Sequence, residues 1–401
     1  MTREWIQSSR MNSTHTIEHT RPLSLAVGGA IALASAMGIG RFAYTPILPE
    51  MVAALHLTAS EAGLIASANF AGYLMGALVA AASFFAPRRR GWMLAALLIS
   101  AVTTGAMAAT SSLFVFLLLR FFGGFASAFA LVFTSSLVLD RLSATGRSHM
   151  AGHQFAGVGA GIAISAVLVA QLAAQHVPWQ WQWLACAALS VLALIAVAIL
   201  IPPRPHTAAS AGGTNGASVG GALGALIVAY GLFGFGYVIT ATFLVQLVRT
   251  NPVIMPLEPY VWLIVGLAAV PSVPLWSAFG RRFGTGEAYA IASVVLAAGV
   301  LASVLWIAPA GAILASVLLG STTIGITVMG LVGARRLAAG AASRIIGLMT
   351  ASFGLGQIIG PIFAGWVHDL TGTFLLPSVA AAALLALGAV LVWRFSAAAL
   401  R

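Results

Sequence analysis

The stretch Gly38-Ile39-Gly40-Arg41-Phe42-Ala43-Tyr44-Thr45-Pro46-Ile47-Leu48-Pro49 closely follows a long apolar run, since the eighteen residues from Leu23 to Gly40 are uncharged and mostly apolar. An arginine therefore lies deep inside a segment long enough to cross a bilayer. A charge near the bilayer centre costs ~2.5–3.5 kcal/mol on insertion scales, so such a residue normally faces a protein interior or a water-filled cavity. The stretch predicts a cavity-lining helix in which Arg41 binds a ligand.

Small and helix-breaking residues surround this arginine. Gly38 and Gly40 allow a neighbouring helix to approach the backbone closely. Pro46 and Pro49 remove helical hydrogen bonds, which a membrane protein tolerates where a cavity or neighbouring helices satisfy the freed carbonyl groups. The predicted role of these four residues is gating or helix contact.

The composition of the whole chain indicates a polytopic membrane protein. Of its 401 residues 60% are hydrophobic and only 7% are charged, whereas a soluble domain carries about 25% charged residues. The net charge of +11 is spread along the chain and is not clustered on one soluble face, so it does not indicate a nucleic-acid partner. The single cysteine, Cys186, excludes an intramolecular disulfide.

Twelve apolar runs have the length of a membrane span. Six precede a Pro-rich and then Gly/Ser-rich break, and six follow it. The predicted spans run from Leu23 to Leu48, Ala62 to Ala86, Gly91 to Ala109, Leu113 to Leu139, Gly152 to Ala174, Trp183 to Ile201, Gly221 to Leu247, Tyr260 to Phe279, Ala288 to Ile307, Ala310 to Val332, Ile345 to Val367 and Phe374 to Trp393.

The break and the tail complete the expected organisation. We expect a disordered cytoplasmic tail over residues 1–22, a six-helix half over 23–201, a cytoplasmic linker over 202–218 and a second six-helix half over 219–401. With the N-terminus inside, sixteen arginines fall in cytoplasmic segments, and only Arg249 falls outside. This asymmetry predicts cytoplasmic termini in an inner (plasma) membrane.

The two halves share a sequence pattern. Gly38-Ile39-Gly40-Arg41 aligns with Gly234-Phe235-Gly236-Tyr237 at an offset of 196 positions, and Ala156-Gly157-Val158-Gly159 aligns with Phe353-Gly354-Leu355-Gly356 at 197. Near-equal offsets between like-numbered spans indicate an internal duplication, which is a secondary-transporter architecture with its site between the halves. The alignment predicts that Arg41 faces Tyr237 across a central cavity.

In its spans, linker and internal duplication, the chain resembles the major facilitator superfamily over essentially its whole length. The Gly38 to Pro49 stretch, together with Gly356-Gln357-Ile358-Ile359-Gly360-Pro361, is similar to the YbfB/YjiJ-type branch. The resemblance implies an all-α membrane protein of twelve transmembrane helices in two pseudo-symmetric six-helix bundles. It also implies that the first, fourth, seventh and tenth helices line the cavity.

Superfamily motifs are present in degraded form. The loop Pro87-Arg88-Arg89-Arg90-Gly91 keeps the basic residues of the motif between the second and third helices and lacks its acidic residue, and Gly280-Arg281-Arg282 shows the same loss. Arg120-Phe121-Phe122-Gly123-Gly124 is similar to the fourth-helix arginine motif, which the resemblance associates with proton coupling. Gly157-Val158-Gly159-Ala160-Gly161 resembles the fifth-helix antiporter motif without its proline.

These observations give the candidate residues. For each polar one, a structural hydrogen bond between helices is the open alternative. The predicted substrate-binding residues are Arg41, Tyr44, Arg120, Tyr230, Tyr237, Thr323 and Gln357; the coupling candidates are Arg120 and His153; the predicted helix-contact residues also include Gly157, Gly161, Gly360 and Pro361.

The predicted function is transport. We expect no enzyme activity, metal or cofactor, because the sequence has no Cys/His cluster, P-loop or intramembrane carboxylate pair. Two buried positive charges favour a small anionic or carboxylate-bearing organic solute, moved across the inner membrane by a monomer with protons as the candidate coupling ion. The alternatives are a broad-specificity efflux carrier for amphipathic compounds and, more remotely, a non-transporting sensor or an intramembrane enzyme.

Overall fold

The computed structural model describes residues 22–144, 146–203, 220–338 and 342–400, which form helices and no strand within these ranges. The longer helices in chain order are α1 (Pro22–Leu33), α2 (Tyr44–Leu55), α3 (Ala59–Ala80), α4 (Arg89–Ala106), α5 (Leu113–Ser143), α6 (Ala156–Ala174), α7 (Trp179–Leu200), α8 (Gly221–Arg249), α9 (Glu258–Ala269), α10 (Ser272–Phe283), α11 (Thr285–Leu305), α12 (Pro309–Leu337), α13 (Ala342–Thr371) and α14 (Leu375–Phe395).

Twelve membrane spans result from these helices. Eleven stretches are long and apolar enough to cross a bilayer, and the bent pair of α9 and α10, with an angle of 44° at its break, gives a twelfth. The predicted all-α fold class is confirmed. The first span contains α1 and α2, the eighth contains α9 and α10, and each other span is one helix. The predicted tail and linker lie almost entirely outside the described residues.

The first span runs from Pro22 to Leu55 as the sequence predicted, but its α-helical hydrogen-bonding pattern has a break in the middle. A π-helical turn over Ala34–Ile39 follows α1, and α2 begins only at Tyr44. Pro46 falls in the first turn of α2 and Pro49 in its interior, so Pro49 alone removes a hydrogen bond from inside the helix. The helix therefore breaks just before the prolines, at Arg41.

Glycines bring the helices of each half into close contact. A Cβ on Gly38 would lie 2.5 Å from the Cα of Gly161, so the first and fifth spans meet backbone to backbone. In the second half, a Cβ on Gly356 would collide with the carbonyl oxygen of Gly231, which joins the eleventh and seventh spans. Equivalent spans thus make the same type of contact in both halves, as expected for a duplicated bundle.

The two halves meet along three pairs of spans. The second packs against the eleventh, the fifth against the eighth, and α2 of the first span against the seventh. Gly63 approaches the carbonyl oxygen of Pro361 across the first of these contacts, and Gly266 approaches the backbone of Ala163 across the second. The candidate residues of the first, seventh and eleventh spans are positioned along this interface.

Candidate substrate site between the two halves

Arg41 lies at the break of the first span and is buried, with 3% of its surface exposed. Its guanidinium carbon is 4.2 Å from the ring centroid of Tyr73, 4.6 Å from Phe70 and 5.5 Å from Phe42. Aromatic faces stabilise a cation at such distances. Two of its nitrogens, Nε and Nη2, have no hydrogen-bond partner among the described residues. Arg41 therefore retains donors for a bound group.

Arg120, in the fourth span, uses its donors differently. Its Nη1 donates to the carbonyl oxygen of Gly40 at 3.2 Å, and its Nη2 donates to the carbonyl oxygen of Arg41 at 3.0 Å. Asn69 in turn donates to the carbonyl oxygen of Arg120 at 2.9 Å. The break frees backbone acceptors of the first span, and Arg120 satisfies two of them. This geometry places Arg120 as a support of the Arg41 backbone.

The two guanidinium groups lie close enough to repel each other. Among the described residues, no carboxylate pairs with Arg41 or Arg120, and the ion pairs of Arg89, Arg249 and His368 involve other carboxylates. Like charges in a low-dielectric environment repel more strongly than in water. The site therefore carries uncompensated positive charge that an anion would offset.

Aromatic rings of the second half form the facing wall. Tyr237 stacks on Phe233 and Phe353 with centroid distances of 5.1 and 5.8 Å, and Tyr230 stacks on Phe353 at 4.9 Å. Tyr237 also lies within electrostatic range of Arg41, and the side-chain amide of Gln357 donates to its hydroxyl. Tyr237 and Gln357 thus contact each other, buried at the interface of the halves. That Arg41 faces Tyr237 across a cavity stays a prediction.

Other predicted site residues have protein partners elsewhere. The Tyr44 hydroxyl donates to the carbonyl oxygen of Ala62 at 2.8 Å, and Thr323 donates to that of Leu319, one turn back in its own helix, at 2.7 Å. Tyr230 donates to the carbonyl oxygen of Thr327 at 3.2 Å. These are the structural hydrogen bonds that the sequence left open as the alternative.

His153 is exposed, in the short 3-10 segment Ser148–Phe155 that precedes the fifth span. It is not part of the buried group around Arg41. Its candidacy as a coupling residue therefore stays a prediction from the sequence.

Three aromatic residues of the site were not predicted, namely Phe70, Phe233 and Phe353. The sequence spacing could have placed two of these residues beside tyrosines. Phe70 and Tyr73 are three residues apart, and Tyr230, Phe233 and Tyr237 are separated by intervals of three and four residues. Residues at this spacing share one helix face. The pattern does not tell a cavity face from a lipid face in a chain with 21 phenylalanines.

At the ends of the spans near Glu50 and Asp369, which the sequence predicts to lie on the outer side, polar contacts join the two halves. Glu50 pairs with Arg249 at 2.7 Å, and the Thr45 hydroxyl donates to the carbonyl oxygen of Ala241 at 2.8 Å. The carboxylate of Asp369, in the eleventh span, accepts hydrogen bonds from the backbone N–H groups of Ala59 at 3.0 Å and Ser60 at 2.9 Å. Asp369 thereby caps the N-terminus of α3 from the opposite half.

The described residues contain no group of three or more His, Cys, Asp or Glu side chains that could hold a metal ion. Around Arg41 the side chains instead offer hydrogen-bond donors and aromatic ring faces. This arrangement can bind and orient a solute through hydrogen bonds and ring contacts.

Comparisons with known proteins agree with this architecture. Residues 33–393 match the family model described as "Uncharacterised MFS-type transporter YbfB". Two crystal structures of the nucleoside transporter NupG share the fold: one has a TM-score of 0.68 at 15% identity, covering 93% of this chain and 98% of that one. The other, of a point mutant, has a TM-score of 0.67 at 15% identity, covering 92% and 98%. A comparison with curated proteins gave no significant match.

The family match covers most of the chain, so it determines membership, whereas structures at 15% identity show the fold alone. Members of this family are transporters, which work on small molecules within a lipid bilayer. This chain is therefore a multi-pass integral membrane protein that belongs to the YbfB family of major facilitator superfamily transporters.

Proposed function

We propose that this chain is a secondary active transporter for a small organic solute that bears a carboxylate or another anionic group. The observation that carries the proposal is Arg41, a buried guanidinium with two unpartnered nitrogens and no carboxylate paired with it among the described residues. A charge in such a position needs compensation, and a carboxylate can accept two parallel hydrogen bonds from a guanidinium.

The neighbouring groups favour the same solute class. Arg120 adds a second positive charge nearby, which opposes entry of a permanent cation. Tyr237 and Gln357 approach from the second half, so a solute held by Arg41 would contact both halves at once. Contact with both halves is what alternating access requires, because the solute then couples their relative movement.

The outer contacts support a rocking mechanism. The polar contacts that close the outer side, from Glu50, Thr45 and Asp369, each join one half to the other. Exposed ion pairs contribute only about 0–1 kcal/mol, so a small set of such contacts can be exchanged during a transport cycle.

The second candidate is efflux of amphipathic compounds, and the ring cluster of Tyr230, Phe233, Tyr237 and Phe353 favours it. Such rings offer large apolar faces with little demand for a particular polar group. The two candidates differ in their dependence on charge: the anion carrier requires Arg41, whereas an amphipath carrier tolerates its removal.

The test is a thermal-shift screen of purified protein against matched organic acids, their methyl esters and amines, since a bound ligand raises the unfolding temperature by mass action. Hits are then assayed for flux in proteoliposomes. We expect the acids to bind, the esters to bind at least tenfold more weakly, Arg41→Ala to abolish flux and Arg41→Lys to retain part of it. Tyr237→Phe should weaken apparent affinity by about a few-fold, because one hydrogen bond contributes roughly 0.5–1.5 kcal/mol.

Arg281→Ala is the matched control, because Arg281 is an exposed arginine in the last turn of α10. It should transport like the natural chain. Equal binding of acids and esters, with flux retained in Arg41→Ala, would favour the amphipath carrier. Ligand binding without flux would identify a sensor, and chemical conversion of the ligand would identify an enzyme.

We also propose that the arginine-rich ends and both termini are cytoplasmic in an inner membrane, with residues 23–201 and 219–401 as the two moving halves. Labelling of single cysteines should find Arg88 and Arg335 accessible from the cytoplasm and Glu258 from outside.

We further propose that a monomer transports and that protons drive it. Flux that follows an imposed pH gradient, with one chain per vesicle sufficient for activity, tests both points.

A further inference from the structure

An apolar groove lies between α11 and α14, away from the interface of the halves. Each helix contributes two pairs of residues one turn apart, including Ala290 and Val294 from α11 and Ala389 and Trp393 from α14. The groove has a volume of about 480 Å³, within the range of ligand-binding pockets. Its shape therefore suits an elongated apolar ligand.

The floor of the groove is buried and its rim is exposed. Ala290 and Ala389 are 1% and 3% exposed, whereas Val294, Val390 and Trp393 are 54%, 55% and 60% exposed. In a membrane-spanning bundle, exposed aliphatic side chains face lipid. The small alanines create the depression, and the larger residues on either side form its walls, so the groove opens sideways toward the bilayer.

One charged residue, Arg394, lies at the end of this groove. It is exposed, in the last turn of α14. Among the described residues none forms a hydrogen bond or ion pair with Arg394. The N-terminus of α11 lies at the same side, where Arg336 donates to Thr285 at 3.0 Å. The mouth of the groove thus carries an unpaired positive charge on the arginine-rich side of the molecule.

We infer that this groove binds an anionic phospholipid of the cytoplasmic leaflet, with an acyl chain between α11 and α14 and the headgroup phosphate at Arg394. Arginine binds phosphate bidentately, and the cytoplasmic surface of membranes is rich in anionic lipid. The exposed Trp393 beside Arg394 fits the same depth, because tryptophan is enriched at the level of lipid headgroups. The site is separate from Arg41 and does not depend on the transported solute.

The experiment measures lipid retained by the purified chain. Native mass spectrometry and thermal shift are recorded with phosphatidylglycerol and with phosphatidylcholine of the same acyl chains. We expect the natural chain to retain phosphatidylglycerol in preference. Arg394→Ala should weaken this lipid about five-fold, the factor that corresponds to about 1 kcal/mol for one arginine at a membrane surface. Arg281→Ala, an arginine outside the groove, should leave binding unchanged.

A second variant, Val294→Trp, fills the groove from its exposed rim and keeps Arg394. It should reduce retention of both lipids without changing the elution volume of the protein. Equal retention of the two lipids by the natural chain overturns the inference. An effect of Arg281→Ala as large as that of Arg394→Ala also overturns it, because the attraction would then be a general surface charge. A dimer that Val294→Trp dissociates would assign the groove to a second copy of the chain.

Discussion

Arg120 donates a hydrogen bond of 3.0 Å from Nη2 to the carbonyl oxygen of Arg41. One buried arginine therefore holds the backbone that carries the other. Residues on two different spans, 79 positions apart, fix the place where the first span breaks. The sequence assigned both arginines to the solute. In the structure, two nitrogens of Arg120 donate to the backbone of the first span and its Nε has no partner among the described residues, whereas Nε and Nη2 of Arg41 have none.

This relationship predicts different effects of the two arginines on stability. Arg120→Ala removes two hydrogen bonds from a charged donor, each contributing roughly 1.5–3 kcal/mol, and leaves buried carbonyl groups unsatisfied. We expect a lowered unfolding temperature and reduced yield, with partial recovery in Arg120→Lys. Arg41→Ala, matched in size and charge, should unfold near the natural temperature. A stable Arg120→Ala that binds no solute would instead place Arg120 in direct contact with the solute.

The close contact between the first and fifth spans predicts that Gly38→Ala, which adds one methyl group, lowers the stability of the fold. A Cβ there would lie 2.5 Å from the Cα of Gly161 and 2.8 Å from the nitrogen of Ile162. Because both are backbone atoms, the first and fifth spans must separate, and overpacking of this kind costs about 1–3 kcal/mol.

The matched control is Gly91→Ala, because a Cβ on Gly91 would meet no atom within 4 Å. It should be neutral or slightly stabilising, since alanine favours a helix by up to about 1 kcal/mol over glycine. The unfolding temperatures of Gly38→Ala and Gly91→Ala, measured in the same detergent, test the prediction, and we expect the lower value for Gly38→Ala. Equal unfolding temperatures would show that the two spans do not pack this closely.

The ion pairs of Arg249 predict that Glu50 and Glu258 have different effects on the opening of the outer side. Glu50 reaches Arg249 from the other half at 2.7 Å, whereas Glu258 pairs with it at 3.4 Å within the same half. Glu50→Gln should therefore favour opening on the outer side, and Glu258→Gln should not. These side chains are about a third exposed, so screening limits the effect to at most about 1 kcal/mol, or roughly five-fold in population.

The measurement is labelling of Ala241→Cys by a membrane-impermeant maleimide added outside. Ala241 is buried at the closed interface, and the single natural cysteine, Cys186, is also buried and gives little background. Faster labelling in Glu50→Gln than in Glu258→Gln agrees with the prediction. The reverse order would show that Glu258 controls the opening.

Two carboxylates at the N-terminus of α3, those of Asp369 and Glu61, allow a second comparison of matched variants. Asp369 caps it from the other half, at 3.0 and 2.9 Å, whereas Glu61 closes a capping box with Thr58 inside the same half. Asp369→Ala should increase outer labelling of Ala241→Cys by several-fold, because loss of a cap costs about 0.5–2 kcal/mol. Glu61→Ala should destabilise α3 locally and leave labelling unchanged. Labelling that rises equally in both would mean that α3 frays without movement of the halves.

The sequence by itself determined the membrane character, the twelve spans and the family. Backbone N–H and C=O groups must be hydrogen-bonded inside the hydrocarbon core, so a long apolar run there forms a helix. The number of apolar residues in the run then shows whether that helix is long enough to cross the bilayer. Arg41 was identifiable for the same reason, because a charge within such a run is expensive and rarely incidental. These inferences use one residue and its immediate neighbours.

Only the tertiary structure decided which polar groups remain free. Tyr44, Thr323 and Arg120 look like ligand-binding residues in sequence, yet backbone carbonyl groups accept their hydrogen bonds. Where those acceptors lie depends on how the first span breaks and how neighbouring helices rotate, and a hydropathy pattern contains neither. The partner of Asp369 is 310 positions away. Such contacts follow from packing of whole helices through their small residues, so no local stretch of sequence specifies them.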